Sequence, residues 1–118
     1  VHVSLPVSRV LEYRAKCAKI FHINNIQVTE ESVWTAPEFF SMILVSDNNG
    51  CGESMRVAVD TVLMLAQDMG GGMEYCHGAG IKLSHLISRE LGVGLDVMAS
   101  MKKALDPNNI MNPGKLGL

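Results

Sequence analysis

Glu53-Ser-Met-Arg-Val-Ala-Val-Asp-Thr-Val-Leu-Met-Leu-Ala-Gln-Asp-Met-Gly-Gly-Gly72 decides how the rest of the chain is read. Val57, Ala58, Val62, Leu65, Ala66 and Met69 recur at the spacing of one helix face, and the glycine run stops the helix. Working upstream, residues 39–45 are apolar on both faces, as a central strand would be. Asp47-Asn-Asn-Gly50 reads as a turn between that strand and the helix. Ile26–Val33 is a second strand, with Pro37 in the connection. Before it, Val10, Leu11, Ala15, Ala18 and Phe21 give apolar spacing for a helix running to about Asn24, with Ser8 as its N-cap. His2-Val-Ser-Leu-Pro6 reads as a short strand leading in.

Downstream, residues 73–77 read as another short strand and residues 81–91 as a helix stopped by Gly92. Leu95, Met98, Met101 and Leu105 line one face of a last helix that closes at Asp106-Pro107. The order β-α-β-β-α-β-α-α predicts an α+β fold, an antiparallel or mixed sheet with helices on one face in a ferredoxin-like arrangement. A length of 118 residues suits one domain spanning 1–118.

Composition narrows the function classes. Hydrophobic residues make up 47% and charged residues 19%, with a net charge of −2. The longest basic run is Lys102-Lys103, which argues against a nucleic-acid surface. The apolar run at 39–45 is too short to cross a bilayer, and the first residues carry no signal or transit pattern. The chain opens with Val1 inside an apolar stretch, so it reads as a piece of a longer protein. Cys17, Cys51 and Cys76 are odd in number and lack Cys-x-x-Cys spacing, which favours a reducing cytoplasm over a disulfide framework or a zinc knuckle. The 8 methionines read as adaptable core filler rather than a copper-binding set.

Tyr75-Cys-His-Gly-Ala-Gly-Ile-Lys82 carries the chemistry. A histidine at the end of a strand precedes two glycines, which admit positive φ and a close approach of another group. An imidazole there can exchange protons near neutral pH. The plainer reading of the same residues is a capped strand-to-helix turn with an incidental histidine. Along the expected helix, Lys82, His85 and Arg89 share a stripe that would suit an anionic substrate or a solvated face, and Leu83, Leu86 and Ile87 take the opposite side. Cys76 beside His77 points to the other face of a strand, so it reads as a buried structural thiol. Gly70-Gly-Gly72 lacks the Lys-Ser/Thr of a phosphate loop. In the tail, Asn108-Asn109 and Pro113-Gly114 each favour a turn, which makes a rigid C-terminal segment.

Lys103-Ala-Leu-Asp-Pro-Asn-Asn-Ile-Met-Asn-Pro-Gly-Lys115 resembles the C-terminal signature of FAD-linked oxidases, the vanillyl-alcohol oxidase / p-cresol methylhydroxylase superfamily that includes glycolate oxidase and D-lactate dehydrogenase flavoprotein subunits. Upstream, the helix from Arg56 to Gly70-Gly71 and the run Cys76-His77-Gly78-Ala79-Gly80 resemble the family's helix and its Glu-His-Gly-x-Gly motif. His2-Val-Ser-Leu-Pro-Val-Ser8 resembles the strand entering the cap domain. The resemblance implies a cap that closes the substrate site over FAD, the flavin being held mainly by an N-terminal domain outside this chain. It implies an oxidoreductase acting on an alcohol, phenol or hydroxy acid by hydride transfer to flavin, with the isolated piece inactive. On the matching positions, His77 is the candidate base and Lys82, joined by His85 on the cationic stripe, meets the substrate. Gly78, Gly80, Asn112 and Lys115 lie toward the flavin.

Two departures bear on the substrate. The metal-ligand run Gly-His-x-Gly-Asp-Gly-Asn-x-His of many 2-hydroxy-acid members is replaced by Val33-Trp-Thr-Ala-Pro-Glu-Phe-Phe40, and Cys76 stands where the family's metal-binding Glu would be. No metal site is therefore expected, and an aryl-alcohol, phenol-oxidising or ether-lipid-synthase-like branch gains ground. The expected partners are the N-terminal FAD domain and a small-molecule substrate, with homodimerisation as a way to cover an exposed apolar face. The competing reading is a non-catalytic α+β module for assembly or small-molecule binding.

Overall fold

The computed structural model describes residues 1–46 and 52–118, which form two compact units, Val1–His77 and Gly78–Leu118. The turn read at Asp47-Asn-Asn-Gly50 lies outside the described residues.

In the first unit the elements run β1 (His2–Ser4), α1 (Val10–Ile23), β2 (Ile26–Val33), β3 (Phe39–Ser46), α2 (Gly52–Asp68) and β4 (Gly72–Met73). The strands form a sheet in the order β2-β3-β1-β4 with antiparallel pairing throughout. This is the βαββαβ arrangement expected from the order of elements. Val3 pairs with Phe40 and with Met73, so these three share one face, and all three are buried. α1 and α2 pack there: Tyr13 meets Phe40 edge-to-face at 6.2 Å, and its hydroxyl donates to the Val62 carbonyl at 2.9 Å. Burying each of Phe21, Val62 and Leu63 stabilises the fold by ~1.5–3 kcal/mol.

The opposite sheet face carries His2 and Ser41, a register pair. Ile43 on that face is 53% exposed, and the Trp34 indole donates to Ser41 Oγ at 2.8 Å.

α1 buries Val10, Tyr13, Cys17 and Phe21, so Val10 and Phe21 of the stripe read from the sequence face the core; Leu11 is 77% exposed, and Ala15 and Ala18 also face outward. The helix turns its aromatic residues inward because they bury the most area. Ser8 is not its N-cap. It sits inside a 3-10 turn, Val7–Arg9, that feeds the helix without a side-chain cap.

α2 spans almost the predicted residues and buries Ala58, Val62, Leu63 and Ala66. It ends in a Schellman motif: Gly70 adopts φ +80° and donates to Gln67, while Gly71 donates to Ala66. A Cβ on Gly71 would stand 2.2 Å from the Ser4 carbonyl oxygen, so only glycine lets the helix exit run this close to β1.

The strand expected at 73–77 pairs only at Gly72–Met73. Glu74 takes φ +49°, which no extended strand tolerates, and residues 75–77 form a turn. His77 is therefore a turn residue, the alternation used to separate it from Cys76 does not apply, and Cys76 is exposed rather than the buried thiol expected.

The second unit departs further. Residues 81–91 are a chain of turns, a 3-10 segment Ser84–Leu86 and a four-residue α3 (Ser88–Leu91), not one helix. Leu83, Leu86 and Ile87 are buried there, and the first two stand three apart, the repeat of a 3-10 helix. Lys82, His85 and Arg89 are exposed, but no continuous helix arranges them as a stripe. Gly92, at φ +50°, stops α3 where the sequence indicated. α4 (Val93–Leu105) has no buried residue; Leu95 and Met98 are half-buried, and Leu105 is 78% exposed. No helix among the described residues is long and apolar enough to cross a membrane.

Candidate active site

The pairing of β1 with β4 brings His2 beside the turn that carries the motif histidine. The His2 backbone N–H donates to Glu74 Oε1 at 3.0 Å, and the Glu74 N–H donates to the His2 carbonyl at 2.8 Å. The other carboxylate oxygen, Oε2, lies 3.5 Å from Nδ1 of His2 and 3.5 Å from Nδ1 of His77. The imidazole centroids of these two histidines are 4.7 Å apart. His2 also meets Tyr75 edge-on at 5.7 Å, and Tyr75 lies 4.7 Å from Phe39. The buried Tyr75 hydroxyl has no hydrogen-bond partner among the described residues. Chemically, the cluster offers two imidazoles that share one braced carboxylate, with the His77 side chain 67% exposed and reachable by a solute.

The tail is organised by Asp106. Its Oδ1 accepts the Ile110 N–H and its Oδ2 the Met111 N–H, each at 2.9 Å, and Lys102 bonds both Oδ2 and the Met111 carbonyl. Lys102 chiefly, with those two N–H groups, holds the Asp106 carboxyl at a pKa of about 2. Two turns follow as expected. Asn109 (φ +50°) donates back to Asp106, and Gly114 (φ +76°) closes a type II turn after Pro113 in which Lys115 donates to Asn112. The Leu116 N–H then reaches the Gly80 carbonyl at 2.9 Å, and Gly117 lies close to Ser84. An open groove of about 280 Å³ results, lined by Lys102, Leu105, Asp106, Met111, Asn112, Lys115, Leu116 and Leu118.

Of the residues singled out in the sequence, His77 belongs to the first unit and the other six to the second. Gly78 (φ +71°) and Gly80 (φ +55°) use the left-handed backbone that glycine permits. Asn112 and Lys115 share the groove, whereas the exposed Lys82 and His85 do not line it. His2 and Glu74 went unnoticed, because only strand pairing across 72 residues brings them together. Asp106 was read as a helix stop; Lys102 four residues before it was the available signal of an ion pair.

The residues present do not fit the metal set that the resemblance carries. β2 and β3 hold no histidine, and position 76 is an exposed cysteine. The groove sets leucine and methionine walls beside Asn112 and Lys115, a lining compatible with part of an aromatic ligand, at a volume below that of most whole-ligand pockets.

The profile of the family described as "FAD linked oxidases, C-terminal domain" matches residues 2–116. A probable mitochondrial D-lactate dehydrogenase of Danio rerio is 35% identical over 80 residues, 65% of this chain and 16% of that protein. A mitochondrial D-lactate dehydrogenase (cytochrome) of Arabidopsis thaliana is 51% identical over 41 residues, 34% of this chain and 7% of that protein. The glycolate oxidase subunit GlcD of Bacillus subtilis (strain 168) is 35% identical over 65 residues, 54% of this chain and 14% of that protein. The chain thus spans at most 16% of the length of these relatives. Because the family match runs from β1 to the last turn of the tail, this chain belongs to the C-terminal domain family of the FAD-linked oxidases, an oxidoreductase family.

Proposed function

We propose that the chain is the C-terminal part of the cap of an FAD-dependent oxidoreductase, working on a flavin held mainly by an N-terminal domain of the same protein. The observation that carries this reading is the family match over residues 2–116, which includes a solvent-reachable His77 braced by Glu74. FAD, when bound, accepts the hydride removed from the substrate carbon. His77 takes the proton of the substrate hydroxyl, and the Glu74 carboxylate 3.5 Å away stabilises the imidazolium that forms. By the family resemblance, Gly78 and Gly80 would leave room for the flavin and substrate to approach, and Asn112 and Lys115 would be the tail residues that help hold the flavin. Lys82 and His85 add positive charge for an anionic substrate.

Among alcohols, phenols and hydroxy acids, the names of the relatives favour a small 2-hydroxy acid. The missing histidine pair then calls for a way of binding it that does not use the family's metal set. The free thiols of Cys17 and Cys76 support a reducing, cytoplasmic location, and the mitochondrial names of two relatives set the alternative that cell fractionation would separate. The test is the visible absorption spectrum of the product of the complete gene beside this chain alone. Flavin bands in the first and not the second support the proposal. No flavin in either after reconstitution with FAD overturns it and leaves a binding or assembly module.

A further inference from the structure

We propose that His2, Glu74 and His77 form a binding site for a divalent transition-metal ion of the zinc class. Their ligand atoms all lie within 4.8 Å of one another, and Glu74 Oε2 is 3.5 Å from Nδ1 of each histidine. In a tetrahedral zinc site with bonds of ~2.1 Å, ligand atoms stand ~3.4 Å apart. Two edges of that tetrahedron are therefore already in place. A separation of 3.5 Å is also long for a hydrogen bond, so the carboxylate is not closed onto either ring.

The backbone organises this arrangement. Glu74 Oε1 is occupied by the His2 N–H, which leaves Oε2 turned toward both imidazoles. Glu74 itself sits at φ +49°, a conformation that a non-glycine residue adopts only where its surroundings enforce it. The two reciprocal bonds between Glu74 and His2 do this, and the edge-on Tyr75 ring limits the tilt of His2. The His2 and Glu74 side chains are only 22% and 13% exposed, whereas His77 is 67% exposed. Two ligands are thus fixed while the third stands at the solvent side, able to rotate onto an arriving ion. Two imidazole nitrogens and a carboxylate oxygen are the donor set of three-ligand zinc sites, in which a fourth position stays open to water or an oxyanion.

The site differs from the family's metal set, which draws on histidines of the middle strands and on position 76. On the reading of His77 given above, a bound ion takes the lone pair that would accept the substrate proton, so the metal-loaded form would not turn over. The occupancy test does not rest on that reading.

The full-length protein, stripped with EDTA, is titrated with Zn²⁺ by calorimetry and with Co²⁺ by visible absorption. The site predicts one tight equivalent and the visible bands of low-symmetry Co²⁺. Glu74→Gln and His77→Ala should each weaken binding by roughly tenfold or more, as should His2→Ala, while Cys76→Ser and His85→Ala bind as wild type. Because the His77 side chain is largely exposed, His77→Ala keeps the test valid even if His2→Ala fails to fold. No tight equivalent, undiminished binding in Glu74→Gln or His77→Ala, or loss of binding in Cys76→Ser would each overturn the proposal.

Discussion

The two units of this chain are held together by different physics. Val1–His77 is built on an apolar core in which Val3, Tyr13, Phe21, Val62 and Leu63 are almost wholly removed from water. Gly78–Leu118 has a small apolar centre of Ala79, Leu83, Leu86 and Ile87, and its tail is fixed by one carboxylate that gathers an ammonium and two backbone N–H groups. The first kind of order rests on apolar burial rather than on any one charge, and it tolerates change at the surface. The second depends on a single ionised side chain, so one substitution or a fall in pH can release it.

The largest expected effect is on the apolar unit. Phe21→Ala removes a side chain that is 1% exposed and should cost ~3–5 kcal/mol, read as a lower midpoint in urea unfolding. A loss below ~1 kcal/mol would mean that α1 is less tightly packed than its burial indicates.

Next comes the polar node. Asp106→Ala should leave the β-sheet amides protected while those of Ile110 and Met111 exchange at least tenfold faster, as hydrogen exchange would read. The same release should follow acidification. The folded-state pKa of Asp106 is lowered to about 2 from an ordinary value of 3.8, so its contribution is complete above the ordinary value and is lost as pH falls toward the folded one. Uniform loss of protection in both units would show that they do not behave separately.

How much of this was readable beforehand follows the same division. α2 was legible because helical spacing and a glycine stop agree over 17 residues. The sheet followed from the order of strands and helices around it. Residues 81–91 misled, since Leu83, Leu86 and Ile87 suit an α-helix or a row of 3-10 turns equally well, and packing made the choice. Both tail turns were visible in Asn109 and Pro113-Gly114 because those residue types favour the backbone they adopt. The His2–Glu74–His77 cluster was not visible at all. It arises from the register Val3↔Met73, a long-range pairing that no local pattern encodes.

The smallest effect concerns the thiols. Cys17 is 1% exposed, and burial raises its pKa to about 11, whereas Cys76 is exposed. Iodoacetamide at pH 8 should label Cys76 within minutes and leave Cys17 unmodified until the first unit unfolds, with peptide mass spectrometry as the readout. Equal labelling of both would contradict the closed core.

The most direct test of the central claim is the anaerobic reduction of the flavin in the full-length protein by D-lactate, glycolate and an aryl alcohol, followed by stopped-flow absorbance for wild type and His77→Ala. At least one substrate should bleach the flavin, and the variant should slow this step by roughly 10²–10⁴-fold with the flavin still bound. Bleaching at the wild-type rate in His77→Ala would remove His77, and with it this turn of the chain, from the chemistry.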